Sequence, residues 1–476
     1  MTTLKKIDKL STEGIENSLA IFELPPTNVA INKTSTRELL PLAALNDSGP
    51  YTFRLFADNQ FPDLSRTWLY LATRIEKKVG ENWVPIEVTP EIPAIPAQGN
   101  NPAVPAVPAN EDDLHVGVIQ NFGQSFIRQL TMNISNVEVF NSGIHYAYRS
   151  YILHELGLSH ETRRALHEAG CYYPDDIDQN KETNKGFVAR AARFANGQTC
   201  ETLVRLNFDL GNQELLMLSN SDIIINIHRN SDDFLLLCPY YKKEVNGAHQ
   251  LVSAANHANY RLKVMDMKLY VKTVEITQSL NNAISRHLET NMAKYPIRRI
   301  EMRSLYVGKG RTDLAWNCFT SIVPRRLIVG FVSNDAYSGR KSLSPFKFEH
   351  ANVRSICAEA NGNTYPNVAY NLDFSDNKFI RAFTDLYSGL GMDNIDRTIS
   401  IGMPKFMTSH CFFVIPMTST LEDSPGFETI KNSTTTIKVQ FSEPVKDEGY
   451  EMIVMGEFDG IISIDKDRII TSDGQV

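Results

Sequence analysis

Six cysteines in 476 residues (Cys171, Cys200, Cys238, Cys318, Cys357 and Cys411) are few and widely spaced, and no two form a CxxC pair. Such spacing points to neither a zinc site nor a disulfide framework, so the thiols read as reduced and mostly buried. No run of eighteen apolar residues occurs, which excludes a spanning helix. The opening MTTLKKIDKLSTEG lacks an apolar h-region, so the expectation is a chain made and kept in the cytosol or nucleus. Positive charge is not in surplus either: 48 Lys and Arg stand against 55 Asp and Glu, a formal −7. With no global field to hold nucleic acid by counterion release, any contact with a genome is expected to be weak and local.

Catalytic and metal-binding patterns are missing as well. None of the eleven histidines forms the HxH pair of a cupin metal site. His154-Glu155 with His160 departs from the zinc-protease pattern, because that chemistry needs histidines four apart on one helical face and these are six apart around Gly157. His160 and His167 are able to share a helical face, yet no third ligand is identifiable, and a hydrogen-bonded helix surface is the better reading. Gly308-Lys309-Gly310 lacks the remaining parts of a phosphate loop and reads as a hairpin turn. No GxSxG elbow or GxGxxG loop appears. The doublets Arg298-Arg299, Arg325-Arg326 and Arg340-Lys341 have no interleaved aromatics, and read as strand ends or inter-subunit ion pairs rather than a nucleic-acid patch.

What is present is period-two alternation in short runs rich in β-branched and aromatic residues, separated by Asn, Asp, Gly, Ser and Pro turns. Ile223, Ile225 and Ile227 alternate in this way, as do Ile437, Val439 and Phe441 with Thr436, Lys438 and Gln440 facing outward. Over 264–276, Met265, Met267, Leu269 and Val271 share one face, and the parity slip to Val274 and Ile276 predicts a bulge near Thr273. Helices are expected only at 145–156, 186–196 and 379–390, as insertions between strands, and at 279–293. There Ser279 offers a cap, Leu280, Ile284, Leu288 and Met292 recur every four residues, and Pro296 bars continuation.

The pattern implies an all-β chain of two tandem antiparallel β-sandwiches, the jelly-roll architecture, with a few short inserted helices. The expected division is 1–278, a linker helix at 279–294, and 295–476. Both halves show an opening strand region, a Tyr-rich helix containing Arg149 or Arg381, and a long final strand region, though no fixed repeat period links them. Seven of the 22 prolines lie between Pro85 and Pro108. The insertion at about 85–110 reads as extended and exposed, either a surface feature of an assembly or a passive loop.

The second half contains, in order, Lys294-Tyr295-Pro296-Ile297-Arg298-Arg299, then Pro324-Arg325-Arg326 leading into Leu327–Val332, then Asn334-Asp335-Ala336-Tyr337-Ser338-Gly339. Pro345-Phe346-Lys347-Phe348 follows, then Arg381-Ala382-Phe383 through Gly389, and Glu457-Phe458 closing on Asp465. Leu24-Pro25-Pro26, Ser48-Gly49-Pro50, Asp63-Leu64-Ser65 and Asn121-Phe122 continue the series in the first half. Taken together the phrases resemble the major capsid proteins of Polinton (Maverick) elements and adintoviruses, across nearly the whole chain. The Pro-rich insertion departs from the pattern, as does Ser344 where Asn is expected before Pro345.

The resemblance implies a double jelly-roll subunit, three copies of which form a pseudo-hexagonal capsomer of an icosahedral shell around double-stranded DNA. It implies no catalytic residue, no cofactor and no metal. The residues it singles out are structural: Tyr295, Pro296, Arg298, Arg299, Pro324, Arg326, Asn334, Asp335, Gly339, Pro345, Phe346, Arg381, Gly389, Glu457 and Asp465. The expected partners are the chain itself, through an obligate contact of roughly 2,000–5,000 Å² or more, and a penton or minor capsid protein. A lectin-like or receptor-binding tandem β-sandwich is the alternative, which a secretion signal or trimerising stalk would usually accompany.

Overall fold

The structure is a computed structural model that describes residues 16–22, 24–87, 112–245, 248–393, 395–418 and 426–472, with Asp8, Leu10 and Ser11. Most of the Pro-rich insertion, residues 88–111, lies outside the described residues.

Sixteen strands build two rolls. The first eight are β1 (Ile31–Leu39), β2 (Tyr51–Leu55), β3 (Phe61–Val79), β4 (Ile127–Ile134), β5 (Val137–Asn141), β6 (Cys200–Arg205), β7 (Ile223–Arg229) and β8 (Tyr260–Ile276). They form one sheet in the order β1-β8-β3-β6 and a facing sheet β2-β7-β4-β5, antiparallel throughout. The second eight are β9 (Ala293–Val307), β10 (Asp313–Phe319), β11 (Arg326–Ser333), β12 (Val353–Ala360), β13 (Asn363–Tyr365), β14 (Phe412–Pro416), β15 (Thr435–Phe441) and β16 (Tyr450–Ile464). Their sheets run β9-β16-β11-β14 and β10-β15-β12-β13, the first roll's order with eight added to every number. Both rolls are therefore jelly rolls of one topology.

Alternating strand directions collect the connections into two groups. Those leaving odd strands hold every long insertion: 80–126, 142–199 and 230–259 in the first roll, 334–352 and 366–411 in the second. The connections leaving even strands are each shorter than these five insertions, 206–222 and 417–434 being the longest, and two of them, 135–136 and 361–362, are two-residue turns inside a sheet. Each roll thus has an ornamented end and a plain end. The connection 142–199 holds helices α1 (Tyr146–Gly157), α2 (His160–Ala165) and α3 (Lys185–Ala192). Helix α4 (Gln278–Leu288) joins the rolls, and 366–411 holds α5 (Ile380–Ser388) and α6 (Met403–Thr408).

The expected strands centred on Ile225 and Val439 are present, with the alternate apolar residues buried. Local expectations differ at five places. Met265 is 42% exposed, because the β8–β3 register skips it between Val264 and Asp266, so Tyr260, Leu262 and Val264 share the inner face with Met267, Leu269 and Val271. A second shift, between Val271 and Lys272, lies next to the bulge expected at Thr273. Helix α4 starts at Gln278 after Thr277, not at Ser279, and stops at Leu288; Met292 is exposed because pairing of Ala293 with Ile464 claims the following residues for β9. Pro296 sits within β9 and is tolerated there because β9 is an edge strand with a partner on one side only. Helix α3 ends at Ala192, and Asn196 at φ 54° breaks the continuation expected to Gly197. The Gly308-Lys309-Gly310 turn crosses from one sheet to the other rather than closing a hairpin.

Candidate assembly surfaces

The surface between the two rolls is built by the 142–199 insertion. Helix α1 is buried nearly all round, because the first roll lies on one side and the second on the other. Tyr151 stacks on Phe346 with ring centroids 4.3 Å apart and planes at 5°, and Tyr148 meets the same ring edge-on at 5.6 Å. Arg149 is fully buried: one guanidinium nitrogen is 2.6 Å from Asp209 and another donates to the Ile300 carbonyl of β9 at 3.0 Å. Burial pushes the Asp209 carboxyl up, while the Arg149 charge pulls it down. Arg163 pairs with Glu155 and donates across the seam to the Ile399 carbonyl. The Tyr295 hydroxyl donates to the Leu216 carbonyl at 3.1 Å and accepts from the Leu218 amide at 3.1 Å; burial raises it to about 12. Main-chain and ionic contacts complete the seam, Cys238 N to Lys341 O at 2.6 Å and Lys341 to Asp233 at 3.1 Å.

The remaining residues singled out by the sequence distribute as follows. Arg326 and Glu457 are cross-strand partners on β11 and β16 joined by a bidentate ion pair with contacts of 2.8–3.1 Å, and Arg326 also donates to the Gly389 carbonyl at 2.8 Å. Gly389 has no room for a side chain, since a Cβ would lie 2.8 Å from Val414. Arg298 pairs with Asp459 across β9 and β16; Arg299 pairs with Glu301 at 3.2 Å and lies over Phe458. Pro324 is buried just before β11. Arg381 lies over the Tyr370 ring at 4.8 Å and 3.6 Å from Asp385. Asp335 pairs with Arg340 at 2.7 Å and the Asn334 amide donates to Gly449. Gly339, at φ 93°, packs against the Asp233 backbone of the first roll, where a side chain would be strained. Pro345 is buried, and the Ser344 hydroxyl accepts from the Phe346 amide at 3.3 Å, doing the turn-setting expected of Asn. Asp465 accepts from Ile469 at 2.8 Å and closes the turn after β16. The basic doublets thus make ion pairs inside the chain: Arg298, Arg326, Arg340 and Lys341 all find carboxylates of their own chain.

Histidines also gather at the seam, in pairings the sequence did not reveal. His167 lies beside His154, ring centroids 4.5 Å apart, rather than sharing a face with His160. His145 reaches Ser304 and Tyr337 of the second roll at 3.2 and 3.1 Å, and His410 lies 3.3 Å from the Tyr151 hydroxyl. Burial lowers His154 to about 3 and His145 and His410 to about 4, so all three are neutral at pH 7. Ser409, His410 and Glu155 form a line of contacts at 2.8 and 3.7 Å, and all three side chains are buried. Among the described residues no three His, Cys, Asp or Glu side chains gather as a metal site, and no helix is long and apolar enough to cross a membrane. The sequence feature of this seam is Arg149 within a Tyr-rich helix, and it reads there only as a part shared by the two halves.

Two jelly rolls of one strand order, fused through a buried seam, define the chain as a double jelly-roll protein. Solved structures with this fold match it almost end to end. A chain of the Sputnik virophage, solved by cryo-electron microscopy, superposes with TM-score 0.63 at 9% identity over 98% of this chain and 94% of that one. The mavirus major capsid protein gives 0.53 at 12% identity over 99% and 96%, and the Faustovirus major capsid protein 0.54 at 9% over 95% and 92%. In sequence the chain is similar to "Uncharacterized protein F54H12.2" of Caenorhabditis elegans, 28% identical over 366 residues, 75% of this chain and 82% of that protein. No family model matches it.

Proposed function

We propose that this chain is a structural major capsid protein of the Polinton and adintovirus kind, not an enzyme. Three copies form a pseudo-hexagonal capsomer, and capsomers close an icosahedral shell around double-stranded DNA. The observation that supports this most is the repeat. Two rolls of identical topology, joined by a seam of stacked aromatics and the Lys341–Asp233 ion pair, let three chains present six similar sandwiches in one closed ring. In this reading the chain divides into 1–278, a linker at 279–294 and 295–476. Tyr295, Arg326, Gly339, Phe346, Gly389 and Glu457, with the rest of the family phrases, set strand pairing and the seam rather than any chemistry.

In the same reading the ornamented ends face outward. The net charge of −7 leaves DNA contact weak, and a penton or minor capsid protein fills the fivefold positions. Synthesis is cytoplasmic, assembly cytoplasmic or nuclear, and the destination is the virion. The test is electron microscopy of the expressed, purified chain. Capsomers of hexagonal outline or closed shells are expected. Single, unassembled chains that bind glycan on an array would instead favour the lectin-like alternative.

A further inference from the structure

The six cysteines are not equivalent. Burial pushes Cys238 and Cys318 up to about 12 and raises Cys357 and Cys411 as well. Cys171 and Cys200 differ from these four, because each is the other's hydrogen-bond partner.

Local structure brings the two together. Cys171 follows the 3-10 turn Leu166–Gly170 in the left-handed region, at φ 59°, and its amide donates to the Glu168 carbonyl at 2.9 Å. Gly170 before it lies directly on β6, where a Cβ would be 2.6 Å from Val204. Cys200 is the first residue of β6, and Cys200, Thr202 and Val204 are the buried positions of that strand. Both thiols are therefore buried where the seam-building insertion meets the first roll. Solvent is close by, since Gln198 and Thr199 are exposed and Arg193 is half-buried.

Arg193 supplies the charge. Its guanidinium donates to the Glu201 carbonyl at 3.0 Å and to the Tyr173 hydroxyl at 3.2 Å, which fixes it beside the residues that follow each cysteine. The hydrogen bond from Cys171, and then the Arg193 charge, hold Cys200 below the ordinary thiol range against the cost of burial, whereas Cys171 is raised. A sulfur that ionises readily beside a cation, with a second thiol in contact, has the makings of an attacking and a resolving cysteine.

We infer that Cys171 and Cys200 are a redox pair that closes to a disulfide when the chain leaves a reducing compartment and reopens on return to one. The co-reactant is a small disulfide of the glutathione class. The Cys200 thiolate attacks one of its sulfurs and expels a small thiolate; Cys171, once deprotonated, attacks the Cys200 sulfur of the mixed disulfide and expels the second. Two protein thiols are oxidised, one small disulfide is reduced to two thiols, and the two protons released go to those thiols. Excess small thiol runs the same exchange backwards. The bond encloses residues 172–199, with α3, and clamps the second half of the insertion to β6. The inference stands on this chain alone and does not rest on the capsomer reading.

The intact purified chain is reduced, freed of reductant and exposed to oxidised glutathione at mildly alkaline pH, then unfolded in N-ethylmaleimide for intact mass and tryptic mapping. Two fewer maleimide adducts than in the untreated chain are expected, with a link between peptides 165–181 and 194–205. Cys171→Ser is expected to keep glutathione on Cys200 as a trapped mixed disulfide, whereas Cys200→Ser takes none on Cys171. Arg193→Gln is expected to slow closure at least about 3-fold. The oxidised chain should melt roughly 2–5 °C above the reduced one, a difference that Cys171→Ser abolishes. Maleimide on all six cysteines after oxidation, or a link between any other two, overturns the pair. A link between Cys171 and Cys200 with an unchanged midpoint overturns the clamping of the insertion.

Discussion

At the scale of single residues, the seam depends on a few charged groups that are costly to bury and are paired with opposite charge. Arg149 neutralises Asp209 and satisfies the Ile300 carbonyl, with its guanidinium over the Phe140 ring at 4.9 Å. Arg149→Ala leaves a buried carboxylate without its cation and is expected to cost about 3–5 kcal/mol in chemical denaturation. Arg149→Lys restores only part, since one ammonium does not span both acceptors. A loss under about 1 kcal/mol would show that the seam is held otherwise. Phe346 fills the space between Tyr148, Tyr151 and Phe234, so Phe346→Ala is expected to cost a similar ~3–5 kcal/mol, read as a drop in thermal midpoint.

The seam histidines give a pH dependence whose sign follows from linkage. Each ring binds its proton less readily folded than unfolded, where its pKa is about 6.5. Their contribution is therefore complete above about pH 6.5 and is lost as pH falls, toward about 4 for His410 and His145 and about 3 for His154. The denaturation midpoint of the wild type should decline between pH 6.5 and 4.5, and that of His410→Gln should decline less. Parallel profiles would contradict the assignment.

Elements were legible in the sequence where one face is buried and the other wet. The strands centred on Ile225 and Val439 follow from alternation alone, because a pleated strand puts successive residues on opposite faces. Alternation misled at Met265, since a residue looped out of register reverses the phase behind it, and a one-dimensional pattern does not say which residue is skipped. The consequence is measurable: Met265→Asp should leave expression and thermal midpoint nearly unchanged, while Met267→Asp, a charge in the core, should abolish soluble expression. If both substitutions behave alike, the register is wrong.

The seam was less legible. Helix α1 is buried on every side and has no amphipathic stripe to announce what it packs against, and the apolar run of β11 signals two covered faces without naming the second cover. The phrases at Tyr295, Pro324 and Phe346 were singled out through resemblance alone. Their roles required the partners, Leu216, Glu457 and Tyr151, which lie far off in sequence.

At the scale of the whole molecule, the chain is one roll topology built twice. The five longest insertions all leave odd-numbered strands, so they gather at one end of each roll. In the second roll β11 is buried residue after residue, whereas β3 of the first roll keeps half-buried positions such as Trp68 and Tyr70 on its outer face. The most direct test of the central claim is the mass of the purified intact chain by light scattering after size exclusion, across salt and pH. A single species of three chains at neutral pH, persisting at high salt, is the predicted result. A monomer that holds across salt, pH and concentration would contradict the account.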